Sequence, residues 1–264
     1  MTIPMLELEG TWKTYDGFDA VRGIDLSIPT GELFCFLGPN GAGKTTTIKM
    51  ITGLLRPTRG SVRVDGHDVS LAALQAKKVT GYIPDTPYLY EKLSGREYLQ
   101  FIGDLYGVPR ARQEEALGKY FELFGLLGSA DKLIESYSHG MRQKLCFSVA
   151  FMHRPKLLVI DEPMVGLDPR SARTLKNLLR HYCSEGGTVF LSTHLLSVAE
   201  ELAHRLGIVT KGELRFLGTT TELRMRMARE GSLEDLFLQL TEEEETEEPA
   251  GDSSLGHGLR EALS

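Results

Sequence analysis

Over the first thirty residues apolar and polar positions alternate, as in Met5-Leu-Glu-Leu-Glu and Gly23-Ile-Asp-Leu-Ser-Ile, before a turn at Pro29-Thr-Gly31. That period predicts strands. Leu33-Phe-Cys-Phe-Leu37 is a continuous apolar run, too short for a helix, which predicts a strand buried on both faces. A glycine-rich loop and a helix from Thr45 to about Leu54 follow. Ser61-Val-Arg-Val-Asp-Gly66 and Val79-Thr-Gly-Tyr-Ile83 read as further strands. Across residues 93–152 the spacing becomes helical, with Ser94-Gly-Arg-Glu97 as a capping box ahead of Tyr98, Leu99, Phe101 and Ile102, and another helix starting near Ser138. Leu157-Leu-Val-Ile160 and Thr188-Val-Phe-Leu191 return to buried strand, and between them Asp168-Pro169 supplies an N-cap and a proline at the first helical position. Ile208-Val209 and residues 213–216 suit edge strands, and residues 233–240 a short helix.

This order predicts an α/β protein with a three-layer core, an N-terminal antiparallel β region and an inserted helical subdomain. The expected division is one domain over residues 1–241, with its core in 1–86 and 154–241 and the insertion in 87–153. Residues 242–264 are expected to form a disordered acidic tail.

Charge sharpens that boundary. The 264 residues carry 30 Lys plus Arg against 36 Asp plus Glu, a net of −6, yet residues 242–264 hold eight acids and one base. The remainder, with 29 bases and 28 acids, is nearly neutral, so no basic surplus points to nucleic acid. At 41% apolar and 25% charged the chain can bury a large core. No uncharged stretch approaches the ~18 to 20 residues that span a bilayer. No basic then apolar leader opens the sequence, and the widely spaced Cys35, Cys146 and Cys183 fit reduced thiols.

The candidate chemistry begins at Gly38-Pro-Asn-Gly-Ala-Gly-Lys-Thr45, which fits G-x-x-x-x-G-K-[ST] between a predicted strand and a predicted helix. That pattern makes the core a P-loop NTPase core, with Gly38, Pro39, Asn40, Gly41, Ala42, Gly43, Lys44, Thr45 and Thr46 as nucleotide-binding residues. Glycines at 38, 41 and 43 let the chain turn so that successive N–H groups and a helix N-terminus face one anion. Lys44 would neutralise β and γ phosphate oxygens while the Thr45 hydroxyl ligates Mg²⁺. Leu157-Leu-Val-Ile-Asp161-Glu162 ends a buried strand in two carboxylates, where Asp161 suits the metal and Glu162 suits a base acting on a water. A strand ending in acids is also a common solvated edge.

With these residues the sequence resembles the ATP-binding cassette of ABC transporters from about Leu6 to Gly218, and most resembles the ATPase subunits of ABC-2-type exporters. Ser136-Tyr-Ser-His-Gly-Met-Arg-Gln143 resembles the family signature, with Ser138 and Gly140 at its phosphate-contacting positions. Gly166-Leu-Asp-Pro169 resembles the loop after the second carboxylate, and Ser192-Thr-His194 the switch histidine. The resemblance implies that two cassettes meet head to tail, so that Ser138 and Gly140 of one close on ATP held by Lys44 of the other. It implies that His194 contacts the γ phosphate, although a capping or core histidine would look the same in sequence. Tyr15 matches the aromatic that stacks on adenine, with Trp12 as a nearby rival. Asp168 would both cap its helix and face the seam between cassettes.

Two positions depart from the family pattern. His139 replaces the signature's first glycine and Met141 its glutamine. In Tyr82-Ile-Pro-Asp85 an aspartate replaces the usual glutamine; an ionised carboxylate only accepts, so Asp85 reads as a metal or water contact, or as a turn residue before Pro87. The resemblance implies ATP hydrolysis with ATP and Mg²⁺, separate transmembrane subunits, a second ATP-binding subunit and a place at the cytoplasmic face of the cell membrane. The alternatives are a soluble regulatory ATPase of the same family and a weakly hydrolysing accessory subunit. The groove holding Pro87-Tyr-Leu-Tyr-Glu-Lys-Leu-Ser-Gly-Arg-Glu97 is the expected docking surface for a membrane partner.

Overall fold

The computed structural model describes residues 3–227; the acidic stretch and the helix expected at 233–240 lie outside them. Strands β1 (Leu6–Tyr15) and β2 (Phe18–Ile28) form an antiparallel hairpin, and β4 (Arg59–Val64) and β5 (His67–Asp68) extend it into a four-stranded sheet ordered β2-β1-β4-β5. The hairpin is longer than the alternation in sequence suggests. Register shifts between Leu8 and Thr11, and again on to Thr14, break the apolar period while the backbone pairing continues. At its tip Asp16 and Gly17 both have positive φ, 45° and 89°, the geometry of a two-residue hairpin turn, which sets Tyr15 opposite Phe18.

The second sheet has six strands in the order β10-β9-β3-β8-β7-β6. Here β3 is Leu33–Leu37, β6 Thr80–Ile83, β7 Leu157–Asp161, β8 Thr188–Thr193, β9 Arg205–Thr210 and β10 Glu213–Gly218. All neighbours are parallel except β10 on β9. Every residue of β3, β7 and β8 is buried, as expected of strands covered on both faces. One face sends Phe34, Phe36 and Phe190 toward the antiparallel sheet, where Phe190 stacks on Phe34 with ring centroids 5.8 Å apart and meets Phe36 at a tilt, 5.4 Å away. The other face sends Leu33, Leu37, Ile160 and Leu191 toward the helices.

Helix α1 (Lys44–Ile51) follows β3 and ends three residues before the expected Leu54. The Thr52 hydroxyl bonds back to Ile48 O, and Gly53 at φ 66° turns the chain out of the helix. The short α2 (Ala73–Val79) precedes β6. Between β6 and β7 the chain is helical, as its spacing predicts: α3 (Gly95–Leu105) starts on the complete Ser94/Glu97 capping box, α4 (Arg110–Ala116) runs through a π-helical turn at Leu117–Phe121 into α5 (Glu122–Phe124), and α6 (His139–Met152) returns to the sheet. Helix α7 (Pro169–Ser184) joins β7 to β8, α8 (Leu196–Leu202) joins β8 to β9, and α9 (Thr220–Met227) ends the described chain. The fold is thus the P-loop NTPase α/β arrangement with N-terminal β strands and helical insertions.

Candidate nucleotide site

Because β3, β8, β7 and β6 are parallel neighbours, their C-terminal ends lie side by side, where α/β sheets bind ligands. The glycine-rich loop leaves β3, His194 follows β8, Asp161 and Glu162 end β7, and Asp85 follows β6. Segments separated by as many as 156 positions in sequence, Gly38 to His194, therefore become neighbours a strand width apart. They frame a cleft of about 380 Å³ lined by Tyr15, Asn40, Lys44, Asp85, Asp161 and Glu162 among others.

Within the loop the three glycines do different work. Gly41 and Gly43 turn the backbone at φ 84° and 100°. Gly38 instead permits close packing, since a Cβ there would lie 2.3 Å from Val209 O. Gly43 also caps α1 without a side chain, which leaves the leading amides of the helix free to meet an anion. Asn40, Gly41, Gly43, Lys44, Thr45 and Thr46 line the cleft, whereas Gly38 and Ala42 are buried beneath it and Pro39 turns the loop. The Pro39 carbonyl accepts a bond from Ala42 N.

Lys44 is 6% exposed, and its ammonium donates to Gly38 O at 2.7 Å and Pro39 O at 3.0 Å while standing 3.6 Å from Glu162 Oε1. Burial lowers its pKa, and Glu162 and Asp161 oppose that shift, so these carboxylates help keep the cation charged. Glu162 bridges the site. Its Oε2 lies 3.0 Å from His194 Nδ1 and receives His194 N at 3.4 Å, while Oε1 is buried without a hydrogen-bond partner among the described residues. Its backbone sits at φ 45°, the left-handed region that non-glycine residues avoid and that is enriched at functional sites. Glu162 N donates to Ser192 O at 3.2 Å, tying the turn to β8.

Asp161 is held from two sides. Oδ2 accepts from the Thr45 hydroxyl at 3.1 Å, and Oδ1 accepts from the Ser192 hydroxyl. Asp85 is exposed on the same cleft, and with Asp161 it adds to the burial that pushes the Tyr82 hydroxyl up to about 12. Thr45 and Asp161, in contact, and Asp85 bring hard oxygen donors to the same cleft, a donor set that fits a small divalent cation sharing its shell with phosphate and water.

At the mouth of the cleft Tyr15 is 42% and Phe18 63% exposed. Trp12 is not part of this wall: its indole covers Gly23, where a Cβ would meet Nε1 at 3.0 Å. Phe18 and the bond from Ser192 to Asp161 go beyond what the sequence singles out. The Asp16-Gly17 turn was a signal for Phe18, because a two-residue hairpin turn pairs the residues on either side of it; nothing in the sequence links Ser192 to Asp161.

Ser138 and Gly140 do not reach this cleft. The Ser138 hydroxyl caps α6 by accepting from Met141 N at 3.3 Å, and Gly140 lies against the loop after Glu162. A Cβ on Gly140 would stand 2.8 Å from Gly166 O, and one on Gly166 would stand 2.4 Å from His139 Cδ2. His139 thus packs on the one residue of that loop with no side chain. Lys144 pairs with Asp168 at 2.9 Å, and Asp168 caps α7 by accepting from Ser171 N. These bonds, Ser171 first, hold the Asp168 carboxyl well below the usual range.

A family model described as ABC transporter matches residues 21–165. The linearmycin resistance ATP-binding protein of Bacillus subtilis (strain 168) is 36% identical over 237 residues, 90% of this chain and 75% of that protein. The daunorubicin/doxorubicin resistance ATP-binding protein of Streptomyces peucetius is 39% identical over 219 residues, 83% of this chain and 66% of that protein. A solved ATP-binding subunit of an ABC transporter superposes with a TM-score of 0.84 at 32% identity, covering 89% of this chain and 99% of that one.

Proposed function

The chain belongs to the ABC transporter family as an ATP-binding subunit, and from that premise we propose that it hydrolyses ATP to drive export through separate transmembrane subunits. The observation that carries the catalytic part is Glu162, held between the Lys44 ammonium and the His194 imidazole at the end of a buried strand. In this reading the glycine loop amides and Lys44 hold the β and γ phosphates, and Tyr15, with Phe18 beside it, stacks on the base. Glu162 takes the proton from a water placed in line with the γ phosphate, and His194 fixes the orientation of that carboxylate and contacts the phosphate. Thr45 and Asp161, with Asp85 at the rim, would hold Mg²⁺, which supplies charge neutralisation on the phosphate oxygens.

Ser138 and Gly140, set apart from their own chain's cleft, suit contact with nucleotide held by a second ATP-binding subunit, so we place the working unit as a head-to-tail pair. Export is favoured because both named relatives are resistance proteins. Among the described residues no helix is long and apolar enough to cross a membrane; in this reading a partner forms the substrate path and the chain works at the cytoplasmic face. Tyr88 is 90% exposed, and Tyr90 packs edge-on to the half-exposed Phe101 with centroids 5.3 Å apart. This aromatic surface follows Asp85 directly and suits the membrane partner. Affinity purification from solubilised membranes is expected to recover a multispanning protein, and steady-state phosphate release to show turnover. Consistent absence of such a partner from intact complexes would remove the transport role while leaving the ATPase.

Asp85→Gln tests the rim. ATP affinity is expected to stay within about twofold, while turnover falls roughly 5- to 30-fold, a barrier change of ~1–2 kcal/mol, as an anionic oxygen near the metal is lost. Unchanged turnover and unchanged transport would take Asp85 out of the site.

A further inference from the structure

A second cleft, of about 460 Å³, opens where the inserted helices meet the core, and none of its residues belongs to the nucleotide cleft. Its floor is aromatic: Tyr120 stacks on Phe151 at 5.7 Å, and Phe151 meets Tyr182 edge-on at 5.6 Å. Its rim is cationic, with Lys119, Arg154 and Lys156 against Glu185, and His181 alongside. Arg154 reaches Glu115 at 3.8 Å with both side chains more than half exposed, and Lys119 lies over the Tyr120 ring at 5.3 Å. Among the described residues no carboxylate pairs with Lys119 or His181.

The chain carries a counterpart. Residues 242–248 read Glu-Glu-Glu-Glu-Thr-Glu-Glu, six carboxylates in seven positions of an otherwise nearly neutral sequence. Of the two large clefts, the nucleotide cleft sets Lys44 against Asp85, Asp161 and Glu162 and would repel this stretch. The lining of the second cleft has the opposite balance, three cations against Glu185, with Glu115 and Asp65 at its edge pairing with Arg154 and Lys156 and Lys119 left to face the opening. Glu242 is fifteen residues beyond Met227, where α9 ends, so the connection can extend to roughly 50 Å. Helix α9 lies on the same side as the cleft: Arg224 pairs with Glu200, and the adjacent Glu201 pairs with Arg180, the residue before His181, so the cleft is within reach of that connection.

We propose that residues 242–248 dock in this basic cleft of their own chain, laying carboxylates against Lys119, Arg154 and Lys156. Such a contact bridges the inserted helices, which carry Lys119, and the core, which carries Lys156 and His181. Being exposed and ionic, it is sensitive to salt.

Zero-length carbodiimide cross-linking of the full chain at low ionic strength tests this, read by peptide mass spectrometry on mixed isotopically light and heavy protein. Lys119 and Lys156 are expected to couple to residues 242–248 within single chains, several-fold more often than the exposed Lys92, which lies by the opposite end of α6, where Glu91 pairs with Arg142. The yield is expected to collapse at about 0.5 M salt and in Arg154→Glu. Lys156 and Asp65, paired at 2.7 Å, give an internal control for the chemistry. Coupling no more frequent than at Lys92, coupling only between light and heavy chains, or coupling indifferent to both salt and Arg154→Glu overturns the proposal. Deletion of residues 242–264 is expected to leave ATP turnover nearly unchanged while raising amide exchange across residues 117–121; unaltered exchange there also counts against docking.

Discussion

Glu162→Gln is expected to lower ATP turnover by at least about 10²-fold, the contribution typical of a positioned general base, while ATP affinity stays near that of the unaltered chain. The amide is isosteric and can still accept from His194, so the cleft keeps its shape. It cannot take a proton from water. With binding intact and hydrolysis blocked, a head-to-tail pair closed on ATP has no exit, and an ATP-dependent dimer is expected to accumulate in light scattering or gel filtration. Phosphate release at the normal rate would show that Glu162 is not the base, and the proton would need another acceptor.

Lys44→Ala is expected to act one step earlier. The Lys44 ammonium is the cation buried at the centre of the cleft, anchored by two loop carbonyls and facing Glu162. Charge-assisted bonds of ~1.5–3 kcal/mol are lost with it, so ATP affinity is expected to fall roughly 10- to 100-fold and hydrolysis to drop below detection. The substitution also leaves Asp161 and Glu162 without the cation beside them, which adds to the penalty for a polyanionic ligand. Lys44→Arg is expected to restore little, because the planar fork cannot occupy the space between Gly38 O and Pro39 O that an ammonium fills. Equilibrium dialysis with labelled nucleotide measures the affinity; an unaltered dissociation constant would place the phosphates elsewhere.

The parts of the site legible in sequence were those encoded by local chemistry. Residues 38–45 carry their glycines, lysine and threonine in one string, and the apolar run before Asp161 marks a strand ending in acids. The Ser94/Glu97 box and the Asp168-Pro169 start were legible for the same reason, since capping is decided within four residues. The 7-residue α2 and α8 were not, because two turns offer too few positions for an apolar stripe to emerge. Choosing Tyr15 over Trp12 required knowing which face of β1 looks toward the loop, and three register shifts hide that face from a simple period of two. The place of His139 depends on a glycine 27 positions away, and the role of Ser192 on a strand pairing with β7. Such relations belong to topology, and a single sequence does not display them.

Strand order has a consequence for the nascent protein. The phosphate loop is synthesised early, yet its strand β3 has no partner until β8 and β9 exist: Leu33 pairs with Val189, and Phe34 with Arg205. A chain halted anywhere before residue 188 therefore owns the whole glycine-rich motif and no place to fix it, because both flanking strands and His194 are still to come. Such long-range pairing is slow, and it leaves the apolar β3 uncovered through most of synthesis. The nucleotide can stabilise only the finished domain, so ligand-dependent protection from protease during translation is expected to appear abruptly, once β9 has cleared the ribosome, rather than grow with chain length.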